Sequence, residues 1–152
     1  MSQIISDEEF RQALHNLDAT QQRLVAAQFV EHVLPLSNEE RISRAVKVAA
    51  DKNASQDELS AALKSAKAAT MDSHTRCGSE GNWTEQAGYF VARAAVASLT
   101  PAVQSKSNPA WQAAMSSRMA RTSLLIDDES SEISTHSENE WQYDVLSKFL
   151  NS

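Results

Sequence analysis

The chain has 152 residues, enough for one domain, with a net charge of −6 and a single cysteine. One cysteine cannot form an internal disulfide, and the acidic balance argues against non-specific binding of nucleic acid or anionic membranes. The N-terminus carries acids where a secretion signal would carry bases, and no apolar run is long enough to span a membrane. We therefore expect an untargeted cytoplasmic protein.

Helix-start signals recur along the whole chain. Six capping boxes, each with Ser, Asp or Asn three residues before Glu or Gln, and one Asn-Pro pair predict seven helices. Abundant Ala, with only three Gly and three Pro, also favours helix. The predicted helices are 7–16, 19–34, 38–52, 56–76, 83–99, 109–126 and 138–150. Because two-residue alternation is not sustained anywhere, we predict an all-α fold, a compact Ala-rich bundle of about seven helices.

The fifth and sixth predicted helices supply the expected core. Helix 83–99 is apolar almost all round, which predicts a central position. In helix 109–126, bulky residues recur at the spacing of one buried face. Such residues also line ligand pockets, but stripes of this kind more often belong to a core. The side chains expected to be buried where the two helices meet are Trp83, Phe90, Val91, Trp111, Met115 and Met119.

No constellation of residues identifies a catalytic or metal site. His74 and Cys77 lie three apart at a helix end, but they supply two ligands where a closed zinc site needs four. Cys77 has Arg76 beside it but no assignable base. We therefore predict no metal, no cofactor and no enzymatic activity. Substituting His74 or Cys77 is expected to leave fold and function unchanged.

Three other polar residues are predicted to lie at the surface. His32 falls on the polar side of its helix with Gln28. Arg118 and Arg121 share one helix face, and two arginines on a neutral body are typical of a solvated face rather than of a nucleic-acid reader.

The net charge is concentrated at the C-terminal end of the chain. Residues 1–126 contain 13 acids and 13 bases, whereas residues 127–152 contain 7 acids and only Lys148. Residues 127–137 are acidic and poor in apolar residues, which is typical of an exposed, mobile linker. The predicted organisation is a helical bundle over 1–126, an acidic linker over 127–137 and a C-terminal amphipathic helix over 138–152.

The C-terminal helix is expected to dock. Trp141, Val145 and Phe149 share one face, and a helix of three turns is too short to be stable alone in water. It therefore packs either on its own bundle or on another molecule, including a second copy in a homodimer.

The acids of this region are the candidate partner-binding residues. They form either a solvated spacer or a patch that steers a basic partner, and steering raises the association rate and is screened by salt. The candidate residues are Asp127, Asp128, Glu129, Glu132, Glu138 and Glu140.

Three stretches together resemble a known family. They are FVEHVLPLSNEERISRAVKVAA (29–50), ELSAALKSAKAA (58–69) and AGYFVARAAVASL (87–99). A VLPL helix end, an acidic and Arg-bearing turn and Ala-rich helices resemble the all-helical immunity proteins of bacterial polymorphic toxin systems, over about residues 24–126. The resemblance implies a protein that neutralises a toxin by occupying its surface, and it implies no particular site residues.

Three hypotheses for the function follow. The first is a non-enzymatic protein-binding domain of the immunity type, whose partner is a basic toxin. The second is a small helical enzyme or ligand-binding bundle with a site scattered in sequence. The third is a helical adaptor or oligomeric scaffold.

Overall fold

The computed structural model describes residue 4 and residues 6–37, 39–80, 83–100, 108–125 and 132–150. For 74–80, 83–85, 123–125 and 132–137 it describes the backbone but not the side chains.

Within these ranges the fold consists of helices without any strand, so the predicted all-α bundle is confirmed. The described part of the chain contains seven α-helices and one 3-10 turn, Leu34–Leu36, which follows the second helix. The α-helices are α1 (Asp7–His15), α2 (Ala19–Val33), α3 (Glu40–Ala50), α4 (Gln56–Glu80), α5 (Trp83–Leu99), α6 (Pro109–Leu125) and α7 (Glu132–Leu150).

Side-chain caps define several of the helix starts. At α2 the carboxylate of Asp18 accepts a hydrogen bond from the Gln21 backbone, and the Gln21 side chain accepts one from Asp18 N–H. Asn108 Oδ1 accepts from the first backbone N–H groups of α6. Each cap satisfies donors that the first helical turn leaves unpaired.

Two helices are longer than predicted. The helix predicted to end at residue 76 continues to Glu80, because a single interior glycine such as Gly78 costs only about 1 kcal/mol and does not forbid helical geometry. The last helix begins at Glu132 instead of residue 138, so the backbone of 132–137, predicted as linker, is helical. The polar sequence of 132–137 has no apolar stripe that would indicate a core-facing helix, but its residue types are compatible with helix. The rest of the predicted linker, 127–131, lies outside the described residues.

Helix α5 contacts α2, α3, α4 and α6, which fits the predicted central position. Its buried face is built from small residues, as is the facing surface of α6. The buried residues of α5 are Ala87, Val91, Ala92, Ala94, Ala95, Ser98 and Leu99, and those of α6 are Ala110, Ala113, Ala114, Ser117 and Ala120. Small side chains let the helix axes approach closely, so the core is made largely of methyl groups.

The predicted set of core residues is only partly correct. Val91 is fully buried, Phe90, Trp111 and Met115 are half-buried at the edge of the core, and the prediction for Met119 is wrong because 47% of that residue is exposed. The side chain of Trp83 lies outside the described residues. Met119 is exposed because α6 turns its alanine stripe toward α5 and α2, and the stripe of Trp111, Met115 and Met119 lies on nearly the opposite side of the helix.

Candidate interaction site

Helix α7 packs on α2 and α6 of its own chain. Its most buried residues are Glu138, Gln142 and Leu146, at 3%, 0% and 0% exposure. The predicted docking face, Trp141 with Val145 and Phe149, is only half-buried. The helix therefore docks mainly through a line that carries two polar residues, which must find partners in the bundle to offset their desolvation.

Glu138 finds two partners beneath α7. Nδ1 of His32 lies 2.9 Å from one carboxylate oxygen, and Arg121 Nε lies 3.2 Å from the other. The Glu138 side chain is 2% exposed, whereas those of His32 and Arg121 are 34% and 27% exposed. In this position the Glu138 carboxylate belongs to the contact between α7 and the bundle. Glu138, predicted to bind a partner, is therefore not an exposed acid.

A second polar cluster lies one turn further along α7. Arg118 donates from Nε to Gln142 Oε1 at 2.8 Å, and its Nη1 lies 2.9 Å from Asp7 Oδ1. Gln142 in turn donates to the carbonyl of Ala114 at 3.1 Å. The Arg118 guanidinium also lies over the ring of Tyr143, 5.7 Å from its centroid. This cluster ties α1, α6 and α7 together.

Asp7 and Tyr143 share a hydrogen bond that shifts the pKa of each. Tyr143 Oη donates to Asp7 Oδ1 at 2.7 Å. Partial burial opposes ionisation of Asp7, but the hydrogen bonds from Tyr143 and Arg118 outweigh it and hold its pKa below the ordinary value. Partial burial and the bond to Asp7 raise the pKa of Tyr143.

The prediction that Arg118 and Arg121 form a solvated face is therefore wrong. Their side chains are 11% and 27% exposed, and both pair with residues of α7 or α1. His32, predicted at the rim, is half-buried against the same helix. A shared helix face indicates which residues are neighbours, but it does not tell whether another helix covers them.

The other predicted partner-binding acids fall in three groups. Asp127, Asp128 and Glu129 lie outside the described residues. Glu132 is the first residue of α7, and only its backbone is described. Glu140 is exposed on the outer side of α7.

Further exposed carboxylates lie on α7 and on the first turn of α1. Asp144, one turn along α7, is exposed and pairs with Lys148 at 3.1 Å. The Tyr143–Asp7 bond places the first turn of α1, with Glu8 and Glu9, beside the middle of α7. We call Glu8, Glu9, Glu140 and Asp144 the acidic face.

A groove between α4, α5 and α6 was not predicted from the sequence. Its volume is about 480 Å³. We call α5 its floor and α4 and α6 its walls, because α5 packs against both of the other helices. We call it the Met71 groove, after a wall residue that is 69% exposed. Its lining residues are Lys67, Thr70, Met71, Tyr89, Arg93, Val96, Ala97, Thr100, Gln112 and Ser116.

The Met71 groove combines apolar surface with positive charge. Arg93 lies over the rings of Tyr89 and Phe90, 5.8 and 5.9 Å from their centroids. Lys67 is a second cation, and none of the described lining residues is acidic. The sequence carried a signal for this surface. Tyr89, Arg93 and Val96 recur at helical spacing, and Arg93 is the only charged residue of this helix after Glu85.

Comparison with known proteins finds no match: no protein-family model, no curated protein and no solved structure is similar to the chain. The described residues contain no group of three or more His, Cys, Asp or Glu placed to hold a metal ion. None of the helices in that part of the chain has both the length and the apolar content for crossing a membrane.

Proposed function

We propose that the protein is a non-enzymatic protein-binding domain of the immunity type, which occludes the surface of a basic partner such as a toxin. The observation that carries the proposal is the acidic face, whose exposed carboxylates lie on α1 and α7, two helices that the Tyr143–Asp7 bond joins. The acids at 127–132, next to the start of α7 in sequence, add to the same charge. A predominantly acidic patch complements a basic partner and accelerates encounter.

The arrangement of α7 also supports binding by a preformed surface. Two clusters of charged hydrogen bonds, around Glu138 and around Arg118, fix the helix that carries Glu140 and Asp144. Carboxylates on a fixed helix lose little freedom on binding, so less of the interaction energy is spent on ordering them.

The proposal requires that a gene for a basic, toxin-like protein lies beside this one, and the test uses the product of that neighbouring gene as the partner. Co-expression should rescue the growth of cells that produce that protein, and the two chains should form a complex with 1:1 stoichiometry. Neutralising two acids of the face, Glu140→Gln with Asp144→Asn, should slow association by about threefold to tenfold at low salt and have little effect at high salt.

The matched control removes the same charge elsewhere. Glu40 and Asp57 are exposed on α3 and α4, so Glu40→Gln with Asp57→Asn should leave the association rate nearly unchanged. Neutralising Asp127, Asp128, Glu129 and Glu132 together is predicted to act like the first variant. Equal slowing by the control variant, or no rescue of growth, would show that the acidic face does not select this partner.

A further inference from the structure

The floor of the Met71 groove is one continuous face of α5. Tyr89, Arg93 and Val96 recur at spacings of four and three, and they lie opposite the alanines that α5 buries in the core; Thr100 follows directly after the last residue of α5. Eleven residues of α-helix extend about 16 Å. The groove is therefore long enough for about three turns of a second helix lying along it.

The lining of the groove offers two kinds of contact. Met71 and Val96 present apolar surface, and methionine adapts its shape to different side chains. Arg93 is positioned by two aromatic rings, so its guanidinium is oriented before any ligand arrives. Lys67 on the α4 wall adds a second, more mobile cation.

From this geometry we infer that the Met71 groove binds an acidic amphipathic helix of a partner protein. The apolar stripe of that helix packs on Met71 and Val96, and its flanking carboxylates pair with Arg93 and Lys67. Helix-in-groove recognition uses apolar anchors three and four residues apart, which matches the spacing of the floor. Charge complementarity selects Glu and Asp beside the anchors, because the described lining has two cations and no acid.

The lining favours a helix over a nucleic acid. Nucleic-acid grooves neutralise several phosphates in a row and expose aromatic rings for stacking. Here there are two cations, and Arg93 lies over both of the nearby rings.

This site is separate from the acidic face. Helix α6 lies between them, with Gln112 and Ser116 toward the groove and Arg118 toward α1 and α7. The two surfaces select partners of opposite charge, so an experiment can disprove one proposal and leave the other standing.

The experiment uses the full chain and two labelled synthetic helical peptides. Both carry Leu at positions three and four apart over about four turns, one with Glu and the other with Lys at the flanking positions. Fluorescence anisotropy should show saturable binding of the Glu peptide and not of the Lys peptide. Reversing the groove charges, Arg93→Glu with Lys67→Glu, should weaken binding of the Glu peptide at least about tenfold and create binding of the Lys peptide.

The control reverses two exposed lysines away from the groove. Lys47→Glu with Lys52→Glu changes the net charge by the same amount and should leave binding of the Glu peptide nearly unchanged. The melting temperature of each variant, measured by circular dichroism, shows whether the fold is intact. A second chemical change, Met71→Ser, keeps the charge and should weaken binding by removing an apolar contact.

Three outcomes would overturn the inference. In the first, the Glu peptide shows no saturable binding. In the second, it binds the folded Arg93→Glu, Lys67→Glu variant as tightly as the original chain. In the third, a single-stranded oligonucleotide of equal charge binds as tightly as the Glu peptide and loses binding in the same variant, which would make the groove a general polyanion site.

Discussion

The imidazole of His32 lies flat against the indole of Trp141, with ring centroids 3.6 Å apart and ring planes 13° from parallel. The stack joins the end of α2 to the first half of α7. It also restricts rotation of the imidazole, so that Nδ1 stays directed at the Glu138 carboxylate, 2.9 Å away. The half-buried Trp141 thus holds in place the polar contact between His32 and Glu138.

Replacing Trp141 with Ala should destabilise the fold by about 2–3 kcal/mol, less than for a fully buried aromatic because Trp141 is half-buried. Urea unfolding followed by circular dichroism measures the change. Leu150→Ala is the control on the same helix, since Leu150 is 47% exposed, and it should cost less than about 1 kcal/mol. Equal costs for the two variants would mean that the stack does not hold α7 in place.

Replacing Glu138 with Ala should cost about 1–3 kcal/mol. The loss of a buried partner leaves Arg121 and His32 without their carboxylate, but both are partly exposed and regain water, so the penalty falls below that of a fully buried pair. Glu140→Ala, on the exposed side of the same helix, should change stability by less than about 0.5 kcal/mol. Chemical denaturation of both variants tests the contrast, which disappears if Glu138 faces solvent.

The pair of Asp7 and Tyr143 should make stability depend on pH in acid. Because the folded pKa of Asp7 is lowered, its ionised form stabilises the fold above the unfolded pKa, and this contribution is lost as pH falls through the folded pKa. Wild type should therefore be more stable than Asp7→Asn at neutral pH, and the difference should vanish in acid once Asp7 is protonated in the folded state. Thermal melts at neutral and at acidic pH measure the difference in stability. A difference that stays constant with pH contradicts the prediction.

The hydroxyl of Tyr143 supplies part of this effect. Tyr143→Phe should raise the pKa of Asp7 toward its ordinary value, because one of the donors to the carboxylate is removed. Carbon-detected NMR titration of the Asp7 carboxyl follows the shift directly. Tyr89→Phe is the matched control, and it should leave the titration of Asp7 as it is.

The buried alanine face of α5 should tolerate no larger side chain. Ala95→Leu places three extra carbon atoms where no side-chain surface is exposed, and it should cost at least about 1–3 kcal/mol. Ala68→Leu makes the same chemical change on the exposed side of α4 and should be nearly neutral. Denaturant midpoints of the two variants report the difference, and similar midpoints would mean that the alanine contact is loosely packed.

The helices could be predicted because their signals are local. Asp18 and Asn108 cap helices through backbone groups only two or three residues away, so the sequence alone contains both partners of each bond. The boundary at residue 132 was missed because a polar helix without a core-facing stripe resembles a linker in composition. Amphipathic pattern identifies a helix only when one of its faces is apolar.

The burial of individual side chains could not be predicted in the same way. The stripe of Trp111, Met115 and Met119 looked like a core face, yet α6 buries its alanines. Large apolar residues maximise the area removed from water, whereas small ones allow closer helix contact, and the balance between the two depends on the neighbouring helix.

By itself the sequence determined the fold class, the order of the helices and the concentration of negative charge near the C-terminus, since these depend on nearest neighbours and composition. Only the tertiary structure decided that Glu138 is buried against Arg121 and that Arg118 holds α7 to α1. It also decided that Arg93 faces an open groove. These partners are separated by many residues in the chain. Whether a charged side chain meets a partner or water is set by which helices pack together, which no local pattern encodes.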